Sequence, residues 1–257
     1  MKVELNAYPA YKPSSVEWLP DIPLAWSVCH LKMAARRITT GTTPSDALFD
    51  DDGSLDWYSP GDFQGAIVLG ETKKRLRGDA FEMGVRCFPA GSVLVVGIGA
   101  TLGKVGFLPK ASSGNQQINC VVPSDSAHGL FITYYLSVRA EVMRLHANTS
   151  TMGIMNQSQT GSIHLPVPPK AEQHAIVAFL DRETAKIDRL MKVRRKQVER
   201  LQEQRTAVIH HAVTKGLDPH AKMKPSGVEW LGDVPRHWEV KAIKRETPVL
   251  RGASPRP

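Results

Sequence analysis

The 257 residues carry 33 lysines and arginines against 25 aspartates and glutamates, a formal net charge of +8, and are 42% hydrophobic. That is long enough for one large or two small domains with a real core, and basic enough to favour a polyanionic partner. Three scattered cysteines without a CxxC pair exclude a disulfide framework, Met1 to Asn6 lacks a signal-peptide core, and no apolar run approaches the ~20 residues of a membrane span. A cytoplasmic protein without membrane contact is expected.

In chain order, the first informative segment is Lys12 to Val28, which contains Val16-Glu17-Trp18-Leu19, Ile22-Pro23 and Trp26. It returns 212 residues later as Lys224 to Val240, with eleven of seventeen positions identical. Gly41-Thr42-Thr43-Pro44 returns as Gly252-Ala253-Ser254-Pro255. One long unit is therefore present once, and a second has begun.

Trp26 to Ile38 reads as a short strand or helix entering the Gly-Thr-Thr-Pro turn. Asp50 to Gly53 is a polar loop, and Trp57-Tyr58 runs into a turn. Phe88 to Gly97 reads as a turn and a buried strand, Gly103 to Leu108 as its returning partner, and Ile118 to Pro123 as another strand. Gly129 to Ala147 has helical spacing at Phe131, Tyr135, Leu136, Val138, Val142 and Leu145.

Between Pro168-Pro169 and Gly216, the 43 residues from Ala171 to Val213 contain no glycine or proline. As one helix they would span about 64 Å. Val177, Leu180, Ile187, Met191, Val198, Leu201 and Val208 fall on a heptad seam that needs a second helix, and Arg194 and Arg205 interrupt it. The expected fold is α+β. It consists of one α/β domain with a mixed sheet over residues 1–165, a long coiled-coil-type helix over 166–218, and the start of a second repeat over 219–257.

Gly97-Ile98-Gly99-Ala100-Thr101-Leu102-Gly103-Lys104 mimics a phosphate-binding loop but fits neither pattern. The third glycine comes one residue late for a dinucleotide fingerprint. A P-loop would need glycine at Ile98 and Ser or Thr at Val105, and the segment that follows is strand-like. A tight loop between strands, with Thr101 and Lys104 exposed at its tip, is expected. Lys73-Lys74-Arg75-Leu76-Arg77 is the densest basic run outside the helix. On its own such a run is a solvated loop, but lysine and arginine are also what phosphate contacts require. Gln116, Gln117, Thr101 and Lys104, with Thr42 and Thr43, have the side chains that read base edges. His174, His210 and His211 lack metal-ligand spacing, and no nucleophile elbow or cysteine nucleophile is present. The chain reads as a recognition protein with no catalytic or metal site.

The motif order resembles the specificity (S) subunit of type I restriction-modification enzymes. The resemblance runs from about residue 12 to 257. It is carried by Val16 to Leu19, Gly41 to Pro44, Gly91-Ser92-Val93-Leu94 and Gly99 to Val105. The strongest match is Leu165-Pro166-Val167-Pro168-Pro169-Lys170-Ala171-Glu172-Gln173, continued by Leu201 to Ile209 and Ala212 to Gly216. The resemblance implies a target recognition domain and a conserved spacer helix. In full-length members the pair occurs twice, with the two helices antiparallel, so that each domain reads half of a bipartite double-stranded DNA site. It also implies docking to methyltransferase (M) and restriction (R) subunits. S-adenosylmethionine, ATP and Mg are expected only on those partners, and no cofactor in this chain. The second recognition domain is missing after Pro257, which leads to two expectations. One is a half subunit that pairs its helix with that of a second copy in a two-fold homodimer. The other is a truncated regulatory fragment that occupies M subunits without specific DNA recognition. A self-contained methyltransferase or nuclease would need an aromatic-flanked Asn-Pro-Pro or a clustered-carboxylate motif, and neither is present.

Overall fold

Val93-Leu94-Val95-Val96 is apolar at every position, the pattern of a strand covered on both faces. The computed structural model, which describes residues 7–147 and 153–247, buries all four of these side chains. The expected return of the Gly-Thr-Thr-Pro turn at Gly252 to Pro255 lies outside the described residues. In chain order the elements are β1 (Tyr11–Lys12), β2 (Ile22–Pro23), β3 (Ser27–His30), β4 (Ala35–Thr40), β5 (Leu55–Tyr58) and β6 (Arg75–Leu76). They continue with β7 (Val93–Val96), β8 (Val105–Phe107), β9 (Ser113–Gly114), β10 (Ile118–Pro123), α1 (Gly129–Ser137), α2 (Ala140–His146) and α3 (Gln157–Gly161). Last come β11 (His164–Val167), α4 (Lys170–Lys215), β12 (Met223–Pro225) and β13 (Asp233–Pro235).

The main sheet has four strands in the order β4-β10-β7-β8, antiparallel throughout. Alternation along β7 and β10 sends Val93, Val95 and Val121 into one core with Ile132 and Leu136 of α1 and Met143 of α2. Leu94, Val96, Ile118 and Cys120 face the other core, with Tyr58, Phe63, Phe88 and Leu108. The mixed sheet expected from the sequence is the smaller one, β6-β5-β9, in which β5 runs parallel to β9 and antiparallel to β6. No helix among the described residues is long and apolar enough to cross a membrane.

Two expectations change. The helical stretch 129–147 is split, because α1 ends at Ser137 and a new helix begins at Ala140. Between them the Arg139 guanidinium packs over the Trp18 and Tyr135 rings at 5.6 and 5.4 Å. Val138 and Leu145, expected on the apolar face, are exposed. The domain boundary also moves: the two compact units are Met1–Glu183 and Thr184–Pro257. The first turns of α4 thus belong to the first unit. Val177, expected to face a partner helix, is 6% exposed in that unit's own core.

Helix α4 ends where the sequence places its stop, with Gly216 at φ +80° and its N–H donating to the Ala212 carbonyl at 3.2 Å. The repeat is structural as well as sequential. β1 pairs with β2 through Lys12 and Ile22, and β12 with β13 through Lys224 and Val234, in the same register. The Val16 and Val228 N–H groups each donate to a serine hydroxyl, Ser14 and Ser226, at 3.1 Å.

Asp56 is fully buried. Its carboxylate accepts from the Thr72 N–H at 3.0 Å and meets the Lys110 ammonium at 2.9 Å. Burial alone would raise its pKa, but the Thr72 and Lys110 contacts outweigh burial and hold it below the usual carboxylate range. A depressed folded-state pKa contributes stability that is present above the unfolded value, about pH 4, and is lost as pH falls through the folded value. Asp56→Ala is expected to cost about 1–3 kcal/mol at neutral pH. The loss should shrink towards zero below pH 4, as read by denaturant titrations across pH. An equal loss at pH 7 and pH 3 would contradict the assignment.

Candidate nucleic-acid interface

Three connections meet at one end of the four-stranded sheet. Asn119 pairs with Thr40, Ile118 with Val96, and Val95 with Val105. The chain therefore exits β4 and β7, and enters β10 and β8, at the same end. Across four strands at about 4.8 Å spacing, these connections line up over about 14 Å.

The first pair of loops is held together by backbone. The Thr42 N–H donates to the Gly114 carbonyl at 2.8 Å, and the Gly41 N–H donates to the Ile118 carbonyl at 3.2 Å. A Cβ at Gly41 would lie 1.8 Å from the Gly114 oxygen and 2.4 Å from that of Asn115, so only glycine permits this approach. Beyond the junction the Thr43 hydroxyl donates to Gln116 Oε1. The Gln117 N–H donates to Asn115 Oδ1 at 3.0 Å, and the two side-chain amides meet at 3.3 Å. Thr43, Gln116 and Gln117, read from separate parts of the sequence, form one exposed amide and hydroxyl surface.

The basic run reaches the same place through β5. The Trp57 indole N–H donates to the Thr42 carbonyl at 3.1 Å, and the Lys74 ammonium lies 5.7 Å from the Trp57 ring centre and 5.5 Å from that of Phe49. Lys73 and Lys74 are exposed. Arg77 is not available in the same way, because its Nε and Nη2 donate to the two Asp79 oxygens at 3.1 and 2.7 Å. Arg75 is half-buried, with its Nε enclosed.

The other loop behaves differently from expectation. Gly99 to Thr101 forms a single 3-10 turn, with no phosphate cradle opening a helix. Thr101 is half-buried, and its hydroxyl donates to the Ile98 carbonyl at 3.3 Å. Lys104 is exposed, but its ammonium donates to the Phe63 carbonyl at 2.8 Å. Lys104 lines a separate cleft of about 320 Å³ with Gln64 and Arg144. The site is thus centred on the β4 and β10 loops, with Thr101 and Lys104 at its far edge.

Sequence reasoning missed Arg86 and Gln157. The Arg86 guanidinium donates to the Thr40 carbonyl, and the Gln157 amide meets the Thr40 hydroxyl at 3.3 Å. Both side chains are exposed at this end of β4. Neither lies in a basic run or beside a motif, so only the tertiary fold could place them. Burial pushes the Cys29 and Cys87 thiols up and takes Cys120 to about 12, which leaves all three protonated at neutral pH. Among the described residues no group of three or more His, Cys, Asp or Glu side chains is placed to hold a metal ion. The surface offers cations, amides and hydroxyls, which are the groups that hold phosphates and base edges.

The comparisons with known proteins agree with one another. A family model described as the type I restriction modification DNA specificity domain matches residues 35–200. The type I restriction enzyme MjaVIII specificity subunit of Methanocaldococcus jannaschii is 24% identical over 151 residues, covering 59% of this chain and 33% of that protein. The putative MjaX specificity subunit of the same organism is 30% identical over 103 residues, covering 39% and 23%. A solved structure on complex assembly and conformational transition of the type I R-M system superposes with a TM-score of 0.64 at 19% identity, over 79% of this chain and 49% of that one. The HsdS subunit from Thermoanaerobacter tengcongensis gives 0.57 at 18% identity, over 80% and 48%. At these identities the structures share the fold. The chain spans about a third or less of the curated relatives and about half of the solved ones.

Gly41→Ala is expected to pull the Thr43 loop off the Gln116 loop and to cost about 1–3 kcal/mol. Gly61→Ala, whose Cβ would meet only Ser59 Oγ at 3.8 Å, should be near neutral. Urea denaturation of the two variants checks the difference, and equal shifts would count against the close-approach argument.

Proposed function

The chain belongs to the type I restriction modification DNA specificity family, and from that membership we propose that it is the non-catalytic sequence-recognition component of a type I restriction-modification system. It reads one half of a bipartite site on double-stranded DNA, in the cytoplasm. The observation that carries this reading is the convergence of Thr43, Gln116, Gln117, Lys73, Lys74 and Arg86 on one end of the main sheet. Lys73 and Lys74 hold backbone phosphates, and Arg86 adds a cation at the other edge of the same loops. The exposed amides and the Thr43 hydroxyl read base edges, because a glutamine can bond an adenine bidentately in the major groove. Thr42, with its carbonyl and N–H both used inside the fold, positions this surface.

The exposed stripe of α4 pairs with a second helix and so brings a second recognition domain alongside the first. M subunits dock on this assembly and R subunits join it. S-adenosylmethionine, ATP and Mg belong to those partners, which carry the methylation and cleavage chemistry.

Two measurements test this reading. The chain is co-purified with its M subunit, and methylated adenines are mapped in DNA exposed to the complex. A two-part methylated motif is expected. An assembled complex that leaves DNA unmethylated would favour a regulatory chain that occupies M subunits. In salt-titrated binding to duplex DNA, Lys74→Ala should weaken affinity uniformly across sequences and flatten the log–log salt slope by about 1. Arg77→Ala, already neutralised by Asp79, should leave the slope nearly unchanged. The opposite order would reverse the phosphate assignment.

A further inference from the structure

The cleft of about 320 Å³ beside the β7–β8 connection is at the small end of the range for ligand sites. Lys104 enters it from that connection, Arg144 from α2, and Gln64 from the segment between β5 and β6. Gly103 lets the connection and α2 meet. Its φ is +86°, and a Cβ there would lie 3.0 Å from Ala140 Cα at the start of α2. The buried Leu102 and Val105 form part of the wall.

The charge of this cleft is one-sided. Lys104 and Arg144 line it, and none of its lining residues is acidic. The Lys104 ammonium is oriented by its bond to the Phe63 carbonyl, which leaves two of its three N–H donors for a ligand. Arg144 is exposed, and among the described residues its guanidinium has no hydrogen bond or ion pair, not even with Glu141 one turn earlier. A concave site with oriented donors and no competing carboxylate fits an anion, and the guanidinium fork fits a phosphate bidentately. Beside apolar walls such charge-assisted bonds are stronger than on an open surface.

The position of the cleft says which phosphate it meets. It lies at the β8 end of the row of loops, and the Thr43 and Gln116 surface lies at the β4 and β10 end. β4 and β8 are three strand spacings apart, about 14 Å. The major groove of B-DNA is about 12 Å wide. One duplex therefore reaches both places, with base edges at the amides and a backbone phosphate at the cleft. We propose that Lys104, Arg144 and Gln64 form a second phosphate subsite, which holds the DNA backbone at the opposite end of the sheet from Thr43. The inference rests on the DNA reading above, and it adds a contact that the basic run at Lys73 and Lys74 does not supply.

The experiment is salt-titrated binding of the full chain to duplex DNA. Arg144→Ala removes no bond within the fold, so its urea denaturation should match that of the wild type. It is expected to flatten the log–log salt slope by about 1 and to weaken binding about eightfold at 0.1 M salt. The Lys74→Ala/Arg144→Ala double variant should flatten the slope by about 2, since the two cations meet different phosphates, and Arg144→Lys should keep the wild-type slope. A slope flattened by Lys74→Ala but unchanged by Arg144→Ala overturns this inference alone. If in that case the wild type still binds inorganic phosphate and Arg144→Ala does not, the cleft holds a free anion instead of DNA. No salt-dependent binding of the wild type to duplex DNA overturns the DNA reading as well.

Discussion

The first turn of α4 is fixed to the recognition domain by one buried glutamine, and much of the structure depends on that attachment. Gln173 is 1% exposed, yet its amide is satisfied on both sides. Its Nε2 donates to the carbonyls of Pro168 and Ser126 at 2.9 and 3.0 Å, and its Oε1 accepts the His128 N–H at 2.8 Å. A buried amide with any of these partners removed would carry the full penalty of an unsatisfied polar group. The bonds reach both the segment that enters α4 and the loop that enters α1. Helix start and domain are thereby joined where Pro168 and Pro169 prevent the helix from extending backwards. Val177, one turn further on, completes the attachment with apolar contact. This explains why a Pro-Pro-to-Gln sequence can be so specific: it is a joint, and each residue has a separate physical task.

The second constraint is the two-faced burial of β7 and β10. A strand covered on both sides offers little polar surface along its length, so exposed polar side chains gather at the strand ends. That is where the loops around Thr43 and Gln116 emerge, and where the contact of Gly41 with Gly114 and Asn115 locks them side by side. The rigidity of the core is what holds these loops in one fixed arrangement.

Much of this was legible in the sequence, and what was not has a common cause. Residues 93–96 announced a doubly covered strand, and the run without glycine or proline between Pro169 and Gly216 announced the helix. Both signals are local, so they survive without knowledge of the fold. The phosphate candidates were read as one basic run, but Arg77 lies two residues from Asp79 and closes a bidentate pair with it. Arg86 was invisible because its partner Thr40 is 46 residues away and is brought near only by the tertiary fold. Thr101, expected at an exposed loop tip, is half-buried because the turn brings its hydroxyl onto the Ile98 carbonyl. Periodicity placed Val177 on the partner-facing seam, but the helix runs under the first unit for its first turns and Val177 lies in that unit's core.

The repeated hairpin separates local from tertiary encoding within a single chain. Both copies have the same strand register, the same serine turn, and an N–H of the second tryptophan donating to proline at 2.9 Å. Where the second copy has Gly227 at φ +75°, the first holds Ser15 at φ +60°, so the turn geometry persists even against the preference of a side chain. Eleven shared residues therefore encode the hairpin by themselves. They do not encode what covers it. Trp18 is half-buried, with its ring 6.2 Å from that of His164 and under the Arg139 guanidinium, whereas its counterpart Trp230 is 82% exposed. The same tryptophan in the same backbone is a docked residue in one context and a free one in the other. The difference lies in the surface it meets, which is a property of the domain and not of the motif.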